Sequence, residues 1–580
     1  MNTNAVLTGR PSVDRPWMKF YPEAVQQLRI PECTIQDYLR MNCPGVNTVA
    51  IHYYGTDITW GTVFGQVKLT AKALRAIGFR RGDQIPVFLR SVPEFIFLLM
   101  AAEEIGASLL CRDNTLAENV EAVQKSGARV IFAHDFLSKV EKDAYIKAGV
   151  ERIVLLSPHR LADRTQMPEH IVDYINSQYH EDIAAGPEVI SWDDFIAMGE
   201  NCDEAVIPID INRPLFRAYT SGSTGPSKQV IHSAHSMIGI VHQMSFYGSS
   251  GDFRPSWLLT SLPPCLVAVV VSMILSPLSS NKKLILDPFC DVFDLDLEMM
   301  RYRPNCWPLI PMFIEILMHS SRIPEDYDMS HLLVAGAGCE AFNNGQIRRA
   351  QKFLKDHNCK AIFSSGYGQS EAGSNCTLPC FEYPMGNGNI GIPMPMTTLS
   401  VFKPGTQEEL SYNQLGEICK TGPGNMLSYD NKEGTSKTLQ RHGDGQLWLH
   451  TGDIGYINED GVVFVLTRGN SCRFGGGRLI DLVMENKVID AGIQGIEDEF
   501  FVVAPDEAHE GYFLPYLYVV LKSGYKIEDI REAVMVVLEP HEYPVEIIQL
   551  EERPFFHFKT NRIELKRQLQ RRGRDRGQFI

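Results

Sequence analysis

Between Ile58 and Cys111 the period of the apolar residues switches several times, and this switching restricts the chain to a mixed α/β architecture. After Ile58-Thr59-Trp60, the segment VFGQVKLTAKALRAIGF places apolar residues at helical spacing and ends at Gly78 and Arg80-Arg81-Gly82-Asp83. Gln84 to Leu89 then reads as a strand, Glu94 to Ala107 as a second helix, and Ser108 to Cys111 as a further short apolar stretch. A chain of 580 residues exceeds what one core supports, so two or more domains are expected. The character changes after Arg468. Glycine-rich Gly475-Gly476-Gly477 precedes strand-like segments at Phe500 to Ala504 and Leu517 to Leu521, together with helical stretches. This predicts a large N-terminal domain of α/β subdomains over 1–470 and a small mobile α+β domain over 471–580, with the boundary near Ser471.

Composition excludes several classes. A formal charge of −15 argues against general nucleic-acid binding, which needs clustered Lys and Arg, so any phosphate chemistry must come from a local site. The thirteen cysteines are scattered, and the closest pair, Cys376 and Cys380, lacks the CxxC spacing of common zinc sites. Buried free thiols, and an N-terminus without a secretory pattern, fit a reducing compartment such as the cytoplasm. The most apolar run, Leu266 to Leu275, is about half the ~20 residues of a spanning helix and reads as a buried core helix or strand. The basic stretch from Lys566 to Arg576 reads as a solvated helix end.

One loop has a composition suited to polyphosphate. Ala218-Tyr-Thr220-Ser221-Gly222-Ser223-Thr224-Gly225-Pro-Ser-Lys228 combines glycines that admit a ligand to the backbone, free N–H groups, hydroxyl donors and one cation. It is not a Walker P-loop, because Gly222 and Gly225 are three apart and Gln229 follows Lys228. By itself such a loop is more often a flexible connector.

At this loop the chain resembles the superfamily of adenylate-forming enzymes, which includes acyl-CoA synthetases, adenylation domains of peptide synthetases and beetle luciferases. Pro226-Ser227 exchanges two positions of the family pattern, and Gln229 replaces its final glycine. Four further blocks match in family order: Gly366-Tyr-Gly-Gln-Ser-Glu371, Gly416-Glu417 with Thr421-Gly422-Pro423, Trp448-Leu-His-Thr-Gly-Asp453, and Gly461 to Arg468. The resemblance implies that Tyr367 stacks on adenine, that Ser370 lies beside the α-phosphate, and that Glu371 holds Mg²⁺. It implies that Asp453 and Arg468 reach the ribose, and that Leu333 to Gly338 approaches the acyl and adenine pockets, with Gly338 letting a ligand lie against the backbone. Taken singly, Tyr367 reads as a half-buried core tyrosine and Glu371 as a solvated loop acid. Asp460-Gly461 reads as a turn between strands.

The pattern also departs. Ser471 stands where the family has a hinge aspartate or lysine, and a one-residue deletion after it would align Arg473, Gly476 and Arg478 with the family's Lys, Gly and Arg. Near the C-terminus Arg562 occupies the slot of the lysine that bridges the substrate carboxylate and the α-phosphate. Arginine keeps the charge but is planar and forked, and Lys559 is the alternative.

The resemblance implies that the substrate carboxylate attacks ATP, with pyrophosphate leaving into the Thr220 to Lys228 loop. The small domain would then rotate about Ser471, removing Arg562 and presenting the Gly475 to Gly477 loop as a pantetheine path to CoA. Leu262-Pro-Pro-Cys265-Leu266 lacks the aspartate of amino-acid-activating relatives, so an aliphatic or aryl acid is expected, within fatty acid or related metabolism. Two other readings stand beside it: a stand-alone enzyme loading a carrier protein's phosphopantetheine, and a nucleotide-binding protein without catalysis. Oligomeric state is not legible in the sequence.

Overall fold

The α/β alternation that the apolar periods call for is present as helix Trp60–Ala76, strand Gln84–Phe88, helix Pro93–Ile105 and strand Ser108–Cys111. The computed structural model describes residues 7–577 except 114, 181, 183, 204–207, 209, 221–226, 246–253 and 557. Thr59 starts the first helix by accepting the Thr62 N–H on its hydroxyl. Gly106, at a φ of 84°, ends the second in the left-handed conformation that glycine adopts at low cost. Twelve of the thirteen residues of Pro93–Ile105 are buried, so this helix is apolar nearly all round and lies inside the molecule.

Two large sheets share one continuous apolar core. The first runs in the order 363–365, 334–337, 306–308, 256–260, 283–287, 49–53, 56–59, and is parallel except at its last pair. The second runs 428–429, 229–233, 214–219, 108–111, 84–88, 130–134, 152–156, 189–191, with antiparallel pairing only at its first two interfaces. Parallel strands buried on both faces explain the near-continuous apolar runs in Val130–His134 and Arg152–Leu156. A five-stranded antiparallel sheet formed by 398–402, 416–421, 439–441, 447–457 and 463–468 follows.

The apolar run Leu266 to Leu275 is helical. Val269–Leu275 forms a π-helix, Ser276 donates its N–H to the Val271 carbonyl, and Pro277, with no N–H to give, follows in a short helix. Among the described residues no helix is long and apolar enough to cross a membrane.

Beyond Ser471 the strands Ile496–Pro505, Phe513–Leu521 and Glu546–Leu550 form a separate sheet. Its two faces alternate with the strand period. Phe501, Val503, Leu517 and Val519 join Met484, Ile530 and Val534 on one side, while Phe500, Val502 and Tyr518 meet Leu565 and Leu569 of the last helix on the other. Neither cluster contains a residue before Leu479. The Gly469 N–H bonds back to the Gly452 carbonyl at 2.9 Å, whereas the Ser471 carbonyl accepts from Leu479 at 2.8 Å, so the backbone bonding changes sides across residues 469–471. Contacts between the two bodies include Asn344 N to Asn486 Oδ1 at 2.8 Å and Arg348 to Asp490 at 2.6 Å.

Candidate active site

The phosphate-type loop joins two antiparallel strands, Pro214–Tyr219 and Gln229–Ser233, and its neck is closed. The Thr220 N–H donates to the Lys228 carbonyl at 2.9 Å, the Lys228 N–H donates to Thr220 Oγ1 at 3.1 Å, and Ser227 Oγ donates to the Thr220 carbonyl at 2.7 Å. Ser221, Gly222, Ser223, Thr224 and Gly225 lie outside the described residues. The Lys228 ammonium sits 4.9 Å from the centroid of the Tyr429 ring and has no carboxylate partner among the described residues.

Tyr429 links that lysine to the next group. Its hydroxyl donates to Glu371 Oε1 at 2.6 Å, while Glu371 Oε2 receives no hydrogen bond among the described residues. Tyr367 donates to Asp453 Oδ2 at 2.5 Å, and Arg468 Nε lies 3.7 Å from Asp453 Oδ1 across paired strands. Burial pushes the Asp453 carboxyl up, opposed by Arg468, Tyr367 and the charge of Lys559. Burial opposes ionisation of Arg468, but the acidic groups of Asp453, Tyr367, Glu371 and Tyr429 outweigh it and raise its pKa. Residues far apart in sequence therefore converge on one patch with alternating charge. Asp453 lies within strand Leu447–Ile457, and Asp460 falls in the turn before Val463–Arg468.

The backbone around these groups is set by close approaches. A Cβ on Gly368 would meet the Ser374 carbonyl oxygen at 1.7 Å, so glycine is required there by the tight pairing of Gly368–Gln369 with Ser374–Asn375. Gly338, at the end of strand Val334–Ala337, lies beside Gly366, whose N–H bonds to the Ala337 carbonyl at 3.1 Å. The Ser370 carbonyl bonds to His232 Nε2 at 2.7 Å, and burial pulls the His232 pKa down to about 4, which keeps that ring neutral.

Beneath this turn lies a buried ammonium. Lys420 is fully buried, bonded to the Pro423 carbonyl and to Asn425 Oδ1 at 2.7 Å, and burial lowers its pKa from 10.5 to about 8. Between those values the unfolded chain holds the proton and the folded chain does not, so stability attributable to Lys420 rises with pH across this window. Lys420→Met should flatten that rise, read as a smaller difference between urea midpoints at pH 8 and pH 10 than in the wild type. An unchanged difference would show that Lys420 is not the titrating group.

The structure does not bring Arg562 into the charged patch. Its guanidinium bonds to Glu485 at 2.9 Å, to the Phe501 carbonyl at 3.2 Å and to Glu340. Lys559, on the two-residue strand Lys559–Thr560, is the small-domain cation whose field reaches both Asp453 and Cys339. The glycine loop at 475–477 is packed against His541: a Cβ on Gly477 would meet the imidazole Nε2 at 2.8 Å. Arg473 is engaged by the carbonyls of His541 at 3.1 Å and Tyr543 at 2.8 Å.

Glu340, Tyr429, His232 and Lys420 carry much of this geometry and were not identifiable as site residues from sequence. The one sequence signal that could have found any of them is the position of Glu340 two residues beyond Gly338.

The patch is thus built from side chains of several strands and turns in a two-body α/β fold. The AMP-binding enzyme family matches residues 41–430, and the chain belongs to that family. 4-Coumarate–CoA ligase 3 of Arabidopsis thaliana is 27% identical over 498 residues, covering 83% of this chain and 81% of that protein. 4-Coumarate–CoA ligase of Pinus taeda is 25% identical over 541 residues, covering 88% and 91%. The crystal structure of ATP-bound MatB from Rhodopseudomonas palustris superposes with a TM-score of 0.74 at 19% identity, covering 92% of this chain and 98% of that one, which shows the shared fold.

Proposed function

We propose that the protein activates a carboxylic acid with ATP and transfers the acyl group to the thiol of CoA. The observation that carries this reading is the gathering of Lys228 and Glu371 about Tyr429, and of Asp453 and Arg468 about Tyr367, within a chain whose relatives are CoA ligases. In the first step a carboxylate oxygen attacks the α-phosphorus, the bond to the β-phosphate bridging oxygen breaks, and pyrophosphate leaves. In the second the sulfur attacks the acyl carbon and AMP leaves. The nucleophile of the first step is already an anion, so alignment and charge neutralisation do most of the work.

Thr220 to Gly225 and Lys228 receive the departing pyrophosphate, Ser370 stands beside the α-phosphate, and Tyr367 lies against the adenine. Asp453 and Arg468 hold the ribose, and Gly338 lets the ligand lie on the backbone. Glu371, with Oε2 uncommitted, suits Mg²⁺, which prefers oxygen donors and would supply charge neutralisation on the phosphates. Lys559 takes the part that Arg562 has by motif alignment, because Arg562 is committed to Glu485 and Glu340. The small domain, 471–580, turns on the link at Ser471 between the two steps.

An aryl acid is read ahead of a fatty acid, since relatives covering more than four-fifths of the chain are named for 4-coumarate. Thirteen free cysteines suit a reducing compartment such as the cytoplasm.

The test is pyrophosphate release with ATP, Mg²⁺ and a panel of aryl and aliphatic acids, each with and without CoA. Acid-dependent release that CoA accelerates is expected, with aryl acids preferred. Release indifferent to CoA would move the acceptor to a carrier-protein phosphopantetheine, and no release with any acid would leave a nucleotide-binding protein.

A further inference from the structure

Glu340 stands two residues beyond Gly338, in the loop that follows strand Val334–Ala337, and it collects hydrogen bonds from the small domain. Thr560 donates to its Oε2 twice, from the backbone N–H at 3.0 Å and from Oγ1 at 3.2 Å, and the Arg562 guanidinium binds its other oxygen. Arg562 in turn is held from its own side by Glu485 and the Phe501 carbonyl. The Glu340 side chain is only 12% exposed, whereas the Arg348–Asp490 pair across the same junction is 56% and 44% exposed. Exposed pairs of the second kind contribute little, while a sheltered carboxylate holding a cation and two further donors fixes its partners in place. Phe558, packed edge-on against Phe313 of the large domain at 5.9 Å, seats the same hairpin. Thr560 directly follows Lys559, so the group that holds Thr560 also fixes the main chain that carries Lys559, a cation whose charge works against the burial-raised pKa of Asp453.

We infer that Glu340 is a positioning residue, a latch that docks the Phe555–Thr560 hairpin against the wall of the site and places Lys559 for acid activation. Opening the latch withdraws Lys559 and frees the small domain for the thiol step. The inference rests on the proposed two-step activation and adds the residue that times it.

Full-length Glu340→Ala and Glu340→Gln are compared with the wild type in each half-reaction separately. In Glu340→Ala the turnover of acid-dependent pyrophosphate exchange into ATP falls about tenfold or more, because Lys559 is no longer aligned. Thioester formation from supplied acyl-adenylate and CoA is unchanged or faster, and trypsin cleaves the 468–478 link more rapidly. Glu340→Gln, which keeps an acceptor for Thr560 but not the charge for Arg562, falls between the two. It carries the test if the alanine variant melts too low to assay. Equal slowing of both half-reactions, or unimpaired exchange, overturns the inference. A wild type without acid-dependent exchange would refute the activation reading instead, and the cleavage rates then decide the latch alone: faster in the variants supports it, equal rates reject it.

Discussion

Lys559→Ala is expected to slow acid-dependent pyrophosphate exchange by about 10²- to 10³-fold, the loss typical of removing one preorganised donor from a reacting centre. The charge of Lys559 acts on Asp453 and Cys339, and its ammonium has no carboxylate partner among the described residues. Removing it should therefore leave the melting temperature close to that of the wild type. Arg562→Ala should behave in the opposite way. It strands the buried Glu485 and the half-buried Glu340 carboxylates without their cation, and breaking a sheltered pair in this manner costs about 3–5 kcal/mol where both partners are fully buried, less here because Arg562 is 24% exposed. Its signature is a lower melting temperature, with any loss of exchange following from a loosened hairpin. If Lys559→Ala exchanged at the wild-type rate while a folded Arg562→Ala did not, the motif alignment would be right and the assignment to Lys559 wrong.

Asp453→Ala is expected to weaken AMP binding by about 100-fold, as two charge-assisted hydrogen bonds to the ribose hydroxyls are lost. Isothermal titration with AMP measures this without any acid or thiol present. The carboxylate is buried, receives the Tyr367 hydroxyl at 2.5 Å and faces Arg468 at 3.7 Å, so the ribose would enter a group already oriented by its neighbours. Asp453→Asn keeps an acceptor for Tyr367 and should lose less than the alanine variant. AMP affinity equal to the wild type in Asp453→Ala would move the ribose away from this strand.

Much of the large domain was legible because its helices and strands carry distinct apolar periods. Trp60–Ala76, Pro93–Ile105 and Ser108–Cys111 all occur within a few residues of where those periods place them. The π-helical turn at Val269–Leu275 was not legible. It differs from an α-helix by one hydrogen-bond step, which leaves no mark on residue pattern. At the site, motif order named Lys228, Tyr367, Glu371, Asp453 and Arg468, and these do gather, from strands and turns of different sheets. What motif order could not supply is the partner of each side chain. Arg562 has the right slot and the right charge, yet its destination depends on Glu340, more than two hundred positions away, and on Glu485. Tyr429 and Lys420 were missed for the same reason: a lone tyrosine and a lone lysine signal nothing until folding sets one on Glu371 and buries the other beneath the Ser370 turn. Gly368 belongs to a motif, but its backbone pairing with Ser374 is enough to require glycine.

A single site that makes an acyl-adenylate and then hands its acyl group to a thiol must form acyl-AMP before any thioester. Mass spectrometry of a single turnover tests this most directly, with enzyme in excess over ATP, an aryl acid and Mg²⁺, quenched before and after CoA is added. Acyl-AMP is expected to accumulate first and to be replaced, mole for mole, by acyl-CoA and free AMP. ADP and phosphate in place of AMP and pyrophosphate, or an acyl-CoA that forms without a preceding acyl-AMP, would contradict it.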